Sequence, residues 1–213
     1  MTAKQELIHP ELADVRIDDD SEDLSRSEVI LKGALAAGAV YGAVMVGPFV
    51  KKALAMTEGG DVGILNFALT LEYLESAFYE EAKKRAGASG ELTSLIDLIA
   101  EDEQQHVEAL TATVKQLGGK PVAEPKFDFP YDNTAGFLKL AQTFEDTGVS
   151  AYNGAAPSIK SKDVLASAGA IVQVEARHAA AIRLQNGEEP SPEAFDPSLD
   201  ESMVLKAVEP FIA

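Results

Sequence analysis

The chain has 213 residues and a formal charge of −17, from 35 acidic and 18 basic residues, and it contains no cysteine. This length suits one domain with a core of its own. The absence of thiols excludes cysteine nucleophiles, iron–sulfur clusters and disulfide frameworks. The negative field argues against nucleic-acid binding. Tryptophan is absent, aromatic residues make up only 7% of the chain, and alanine, leucine and glutamate are plentiful, a balance that favours helices.

We divide the chain into four parts. Residues 1–26 are polar and acidic and predict a flexible arm, whereas residues 27–56 form an apolar segment. Residues 57–187 carry the helical pattern, and residues 188–213 form a tail with a short helix expected over 198–208.

The apolar segment has three interpretations. Residues 33–50 carry no charge and precede Ala53-x-Ala55, which is typical of an export signal with its cleavage site. Residues 25–30 resemble a twin-arginine signal in which Ser27 replaces the second arginine. The alternatives are a membrane anchor, with contact through residues 29–50, and a packed helix or docking arm. We favour an exported or envelope-associated protein over a cytoplasmic one.

Apolar residues at helical spacing predict four helices, at 61–86, 91–117, 134–156 and 162–186. Three prolines exclude a continuous helix within 120–133. Ser161 is the N-cap candidate of the last helix, and Asp132, Asn133 and Thr134 are candidates for the third. The connections between successive helices are short, then long, then short. This order predicts an all-α four-helix bundle made of two hairpins, with a long crossover between helices 2 and 3.

Two of the three histidines follow a glutamate by three residues, as Glu103/His106 and Glu175/His178. Residues three apart share one face of a helix, and both pairs lie on the apolar stripe of their helix. Charged groups that point into a core need partners, since an unpaired buried charge costs several kcal/mol.

The other two helices offer such partners. Glu72 and Glu145 each lie on an apolar stripe, seven residues before Tyr79 and Tyr152. The order Glu-x6-Tyr and then Glu-x-x-His therefore occurs twice, at offsets of 73 and 72 residues. Glu75 is the alternative to Glu72, but only Glu72 reproduces the spacing to tyrosine.

Four carboxylates and two neutral imidazoles can hold two metal ions about 3.5–4 Å apart. This ligand set suits iron or manganese, although zinc can intrude. The predicted metal ligands are Glu72, Glu103, His106, Glu145, Glu175 and His178, with no catalytic residue beyond them. Tyr79 and Tyr152 are either hydrogen-bond donors to the ligands or ordinary core residues. Asp102 either hydrogen-bonds a ligand histidine across the bundle or is solvated. The alternative for the whole cluster is a buried polar network without metal.

With the segment Asn66–Tyr79, NFALTLEYLESAFY, these motifs resemble the ferritin-like superfamily over residues 61–187. Within it, the chain is most similar to bacterial ferritin-like domain proteins that are related to desiccation-related proteins. The resemblance implies that Glu72 and Glu145 are terminal ligands, that Glu103 and Glu175 bridge the two ions, and that each histidine binds one ion. It also implies that both tyrosines donate hydrogen bonds near the carboxylates.

Two features of the sequence differ from known subfamilies of the ferritin-like superfamily and reduce the number of subfamilies to which the chain could belong. Without cysteine the chain has no rubredoxin domain and is not a full rubrerythrin. Gln104 stands where bacterioferritins have a haem-ligating methionine, so we expect no haem.

We expect two iron ions, or alternatively two manganese ions, that react with oxygen or peroxide. The reaction would be of the ferroxidase, peroxidase or manganese-catalase type, in stress response or metal homeostasis. The fold does not choose among these activities. The partners would be a small oxidant or metal-ion substrate and further copies of the chain in a homo-oligomer. The alternatives are an iron-storage subunit and a non-enzymatic, stress-associated structural or envelope protein.

Overall fold

The computed structural model describes residues 59–213, which form a four-helix bundle and a helical tail. Within this range the backbone contains helices, turns and one isolated antiparallel bridge, between Phe127 and Ile212, and no strand. The helices are α1 (Asp61–Arg85), α2 (Glu91–Gln116), α3 (Thr134–Ala155), α4 (Lys162–Gln185) and α5 (Glu201–Val208). Two 3-10 turns, Ala156–Ser158 and Glu209–Phe211, follow α3 and α5. The prediction of an all-α protein is confirmed for this part of the chain.

The helices begin and end at residues whose chemistry explains the boundary. Asn133 and Ser161 cap α3 and α4 by accepting hydrogen bonds from the backbone N–H groups of Gly136, at 2.9 Å, and Val164, at 3.3 Å. Gly118 follows the end of α2 with φ of +75°, a left-handed conformation that glycine adopts without strain. The first four predicted helices agree with the structure to within one residue at each end.

The bundle consists of two hairpins, α1 with α2 and α3 with α4, joined by the crossover at 117–133. Two side chains of α1 hold this crossover at opposite ends of the helix. Asn66 donates to the carbonyl of Lys120 at 3.1 Å and accepts from the N–H of Val122 at 2.8 Å. Arg85 donates to the carbonyl of Phe129 at 3.1 Å and lies 4.3 Å from the ring centroid of Tyr131. The crossover therefore runs along α1 and fixes the two hairpins relative to each other.

The apolar core has two parts, one on each side of the middle of the bundle. Phe78 is fully buried at the centre of one part and contacts five other aromatic rings with centroid separations of 4.9–5.7 Å. The other part contains Leu65, Leu69, Leu110 and Val114. Because Leu69 and Phe78 lie on either side of Glu72 along α1, the polar cluster described below lies between the two apolar parts.

The C-terminal tail packs on its own bundle. Asp200 caps α5 by accepting a hydrogen bond from the N–H of Met203 at 2.9 Å, so the helix begins three residues later than the predicted start. Val204, Leu205 and Val208 join the aromatic part of the core. The tail then hydrogen-bonds the crossover, from the N–H of Asp128 to the carbonyl of Phe211 at 2.9 Å. It thereby covers part of the bundle.

The predictions for residues 1–58, which include the acidic arm and the apolar segment, lie outside the described residues. Among the helices in residues 59–213, none combines the length and the apolar character that a bilayer span requires.

Candidate metal centre

Six ionisable side chains from the four long helices meet in the middle of the bundle. α1 and α3 contribute one glutamate each, while α2 and α4 contribute a glutamate and a histidine each, because positions three apart share a helix face. All four glutamates have no exposed surface, and the two histidines are 9% and 3% exposed. The set comprises Glu72, Glu103, His106, Glu145, Glu175 and His178. The structure therefore brings together every predicted ligand; their binding of metal stays a prediction.

The six side chains form two overlapping groups, in each of which the potential ligand atoms lie within 4.8 Å of one another. Both groups contain Glu103 and Glu175. Glu72 and His106 complete the first group, which we call the His106 half, and Glu145 and His178 complete the second, the His178 half. The two halves have the composition expected for two ions that share two carboxylates.

His106 is surrounded by carboxylates. Its Nδ1 lies 3.0 Å from Glu175 Oε1 and 3.2 Å from both Glu103 Oε2 and Glu72 Oε2. Burial lowers the pKa of His106, but these three carboxylates raise it to about 12. In the metal-free protein the proton on His106 therefore supplies a positive charge at the position where a cation would neutralise the cluster.

His178 is held from both sides of its ring. Its Nδ1 lies 2.9 Å from Glu103 Oε1, and its Nε2 lies 3.1 Å from Asp102 Oδ2 on α2. An Nε2–H that donates to Asp102 leaves the Nδ1 lone pair directed at the cluster, which is the tautomer that a metal ligand needs. Asp102 is about one-third exposed, so it contacts both the histidine and solvent. The position that corresponds to Asp102 in the sequence repeat is Val174, so His106 lacks this support.

Asp102→Asn is expected to lower the affinity for one of two bound ions by about 10–100-fold, because the neutral amide replaces the charged carboxylate that fixes the tautomer of His178. The measurement is calorimetric titration with manganese(II). Glu101→Gln is the matched control, because it removes one carboxylate from the exposed neighbouring position. Equal loss of affinity for both ions would contradict the assignment of Asp102 to the His178 half.

The two tyrosines connect the hairpins in a reciprocal manner. The hydroxyl of Tyr79 on α1 donates to Glu145 Oε1 on α3, and the hydroxyl of Tyr152 on α3 donates to Glu72 Oε1 on α1. Burial, and then the charge of the acceptor glutamate, raise the pKa of both phenols well above the usual value. The tyrosines therefore remain protonated donors. Each one engages a single oxygen of its glutamate and leaves Oε2 for the centre of the cluster.

Three carboxyl groups of the metal-free cluster, those of Glu103, Glu145 and Glu175, retain protons to unusually high pH. Burial, opposed by the contact with His106, raises the pKa of Glu103 to about 8. Burial and the charges of Glu103 and Glu72 raise the pKa of Glu175 to about 8. Burial also raises the pKa of Glu145 well above its usual value, although nearby His178 opposes the shift. The metal-free cluster therefore carries less negative charge than four ionised carboxylates would give it.

The donor atoms fit metal ions better than they fit one another. Buried polar atoms in proteins almost always have a hydrogen-bond partner. Six buried atoms of this cluster make no hydrogen bond of good geometry, although three of the oxygens lie 2.9–3.2 Å from an imidazole nitrogen. They are Glu72 Oε2, Glu103 Oε1, Glu145 Oε2, both carboxylate oxygens of Glu175, and His178 Nδ1. These atoms are oxygen and imidazole donors, which suit iron and manganese. The cluster is therefore compatible with a site for two metal ions.

Two further residues lie near the cluster. The sequence pattern gave Glu75 only as the alternative to Glu72, and it did not identify Gly148. Glu75, the alternative to Glu72, is also buried, at 2% exposure. Gly148 lies on α3, where its missing side chain leaves room beside Glu75 and Glu175. The offset of 73 residues places Gly148 at the repeat position of Glu75, and this was the sequence signal that could have identified the pair.

Comparisons with known proteins agree with this architecture. The family model described as "Ferritin-like domain" matches residues 60–188. Protein rds1 of Schizosaccharomyces pombe is 26% identical over 160 residues, which cover 71% of this chain but only 39% of that protein. The crystal structure of the conserved hypothetical protein rv2844 from Mycobacterium tuberculosis matches with a TM-score of 0.55 at 15% identity, over 59% of this chain and 96% of that one. The structural match concerns the fold alone.

Proposed function

The chain belongs to the ferritin-like domain family, and we propose that its buried cluster binds two iron or manganese ions and reacts with oxygen or peroxide. One observation carries the proposal: two four-residue groups share two carboxylates, and six buried donor atoms within them lack a hydrogen bond. A polar network that served only to stabilise the core would give each of these atoms a well-directed hydrogen bond, whereas here three of the oxygens only lie close to an imidazole nitrogen.

The side chains have separate tasks in this proposal. Glu103 and Glu175 belong to both halves and would bridge the ions, whereas Glu72 and Glu145 would each bind one. His106 and His178 would each add one imidazole nitrogen. When bound, two such ions supply two electrons to an oxidant, one from each ion. The four carboxylates carry four negative charges, which balance the charge of two divalent ions.

The surrounding residues would exclude water from the site and hold its ligand side chains in position. The two apolar parts of the core exclude bulk water from either end of the cluster. Tyr79 and Tyr152 hold a proton on each hydroxyl and fix the orientation of Glu145 and Glu72. Asp102 fixes the tautomer of His178. His106 must release its proton before its nitrogen can bind a cation, so metal binding would release protons.

The test is the metal content of protein purified without chelators and then loaded anaerobically with iron(II) or manganese(II). Wild-type protein is expected to hold about two ions per chain, and the His106→Ala/His178→Ala variant is expected to lose them. Consumption of peroxide or oxygen by each loaded form then identifies the oxidant. A wild-type protein that takes up neither metal would refute the proposal and would favour a structural, stress-associated role.

A further inference from the structure

A cavity of about 90 Å³ lies inside the apolar part of the core that contains Leu65 and Leu110. Its walls come from all four long helices and from Ile159 in the connection between α3 and α4. The exposed lining residues Ala109 and Ser167 lie on α2 and α4, so the cavity opens to solvent between these two helices. An empty cavity lowers the stability of a fold in proportion to its volume, so a molecule that filled this one would bind favourably.

The sequence repeat explains why this end of the bundle contains free space. Several lining residues are smaller than the residues at the corresponding repeat positions, 73 residues away between α1 and α3 and 72 away between α2 and α4. The clearest pairs are Ala151 with Phe78, Leu71 with Phe144, and Ala168 with Ile96. The larger residues are buried at the other end, where Phe78 is the centre of the aromatic part of the core. In one pair, Phe67 and Leu140, the lining residue is the larger one. The two ends thus share one plan, but small side chains leave one of them unfilled.

The walls of this cavity are apolar and uncharged. Among residues 59–213, no acidic or basic side chain lines it. The hydroxyl groups in its lining already donate hydrogen bonds. Thr113 and Ser167 donate to carbonyl groups of their own helices, at 2.8 and 3.0 Å, and Tyr152 donates to Glu72. These hydroxyl groups therefore have no proton to offer a ligand. A cavity with such walls holds water poorly and takes up apolar molecules instead.

The size and shape of the cavity select among apolar molecules. An apolar cavity of about 150 Å³ engineered into another protein binds benzene. The cavity of this protein is smaller, at about 90 Å³, and it opens to solvent on one side. It therefore suits a narrow group whose remainder can extend outward between α2 and α4. The end of an unbranched alkyl chain has this form, whereas a six-membered ring does not.

We propose that this cavity binds the end of an unbranched alkyl chain that belongs to a small molecule in solution. The chain end would lie beside the His106 half of the cluster. Leu110 in the cavity wall is one helical turn after His106. Tyr152, also in the wall, donates its hydroxyl proton to Glu72 of the same half. The inference concerns the apolar core and needs no metal ion, so its test is independent of the proposed function.

The test is calorimetric titration of the full-length, metal-free protein with 1-hexanol. Wild type is expected to bind one molecule per chain with a negative heat-capacity change, because apolar surface is buried. From 1-butanol to 1-octanol the affinity should rise by up to about fourfold per methylene and then level off, once the chain extends beyond the cavity. Cyclohexanol has the same number of carbon atoms as 1-hexanol in a ring and should bind at least about tenfold more weakly.

Ala168→Ile introduces the side chain that occupies the corresponding position at Ile96. It is expected to lower the affinity for 1-hexanol at least about tenfold. It should also raise the melting temperature of the ligand-free protein by about 2 °C or more, because it fills part of the empty space. Ala166→Ile makes the same exchange at an exposed position of α4 outside the cavity and should do neither. Ala151→Leu fills the cavity from α3, at a buried position, and gives the same binding test should Ala168→Ile not fold.

The outcomes separate this inference from the proposed function. A wild-type protein that does not bind 1-hexanol would overturn the inference, and so would equal affinities in wild type, Ala168→Ile and Ala151→Leu. Equal loss in Ala166→Ile, or equal affinity for cyclohexanol, would also overturn it. Binding of 1-hexanol as expected by a protein that takes up neither iron nor manganese would support the inference and refute the proposed function alone.

Discussion

Loading of the wild-type protein with two divalent ions is expected to raise its melting temperature by roughly 10–20 °C. An ion that binds only the folded state at 100 times its dissociation constant stabilises that state by about 2.7 kcal/mol. Two such ions contribute twice this amount, and for a protein of this size each kcal/mol corresponds to about 2–4 °C. Differential scanning calorimetry with manganese(II) or anaerobic iron(II) measures the effect.

The overlap of the two halves makes this prediction specific to individual residues. Glu103 belongs to both halves, so Glu103→Gln is expected to remove most of the stabilisation by metal. Glu145 belongs to one half, so Glu145→Gln should remove about half of it and leave one ion bound. Both substitutions keep the shape of the side chain, and both original residues are fully buried. Similar losses in the two variants would contradict the assignment of Glu103 as a shared ligand.

The metal-free protein is expected to lose stability as the pH rises from about 4.5 to 8. Glu103 and Glu175 have a usual pKa of 4.5 and a folded-state pKa of about 8, because burial favours their neutral form. Over this range the folded state binds more protons than the unfolded state, so the free energy of unfolding falls with increasing pH. Below pH 4.5 their contribution to stability is complete, and above pH 8 it is lost.

The magnitude follows from the pKa differences. Each unit corresponds to about 1.4 kcal/mol, so the two carboxyls together lower the free energy of unfolding by several kcal/mol across this range. His106 acts in the same direction above pH 6.5, since its pKa is raised to about 12. Metal affinity should change in the opposite sense and increase with pH, because the ligands must release their protons.

Chemical denaturation of chelator-treated protein at pH 5 and pH 8 measures this dependence. The negative surface of the chain also lowers stability as pH rises, so a control is needed. Glu103→Gln/Glu175→Gln removes both titrating groups and should flatten the profile. Glu80→Gln/Glu101→Gln removes two exposed carboxylates instead and should retain most of it. Parallel profiles for the two double variants would exclude the buried carboxyls as the cause.

The helices and the ligand positions could be predicted from sequence because both depend on local periodicity. The apolar stripe fixed the face of each helix, and the Glu-x-x-His spacing placed each pair on that face. The duplication then linked Glu72 and Glu145 to those pairs, and the structure brings all six side chains together. Asn133 was one of three N-cap candidates, and local rules could not choose among them.

Other features depend on contacts between distant parts of the chain. Asp102 reaches across the bundle to His178 only because α2 and α4 face each other in a particular orientation. The periodicity of each helix does not specify that orientation. The hydrogen bonds that fasten the tail to the crossover join residues far apart in sequence. The preference for Glu72 over Glu75 treated the two as exclusive, whereas both are buried on α1. Spacing along one helix identifies a face, but it does not show that a glycine on another helix makes room for a second carboxylate.

The pairing of Glu75 with Gly148 also bears on how such a site can arise. A homodimer of one helical hairpin could build the reciprocal tyrosines and the two glutamate–histidine pairs, since each hairpin carries one copy. Such a homodimer would also place the same residue at both positions 75 and 148. It would then have either two carboxylates, where the structure leaves room for one, or no carboxylate. The same holds for Asp102 and Val174. Fusion of two hairpin genes into one chain removes this constraint, and each half can then acquire substitutions that would be harmful in duplicate.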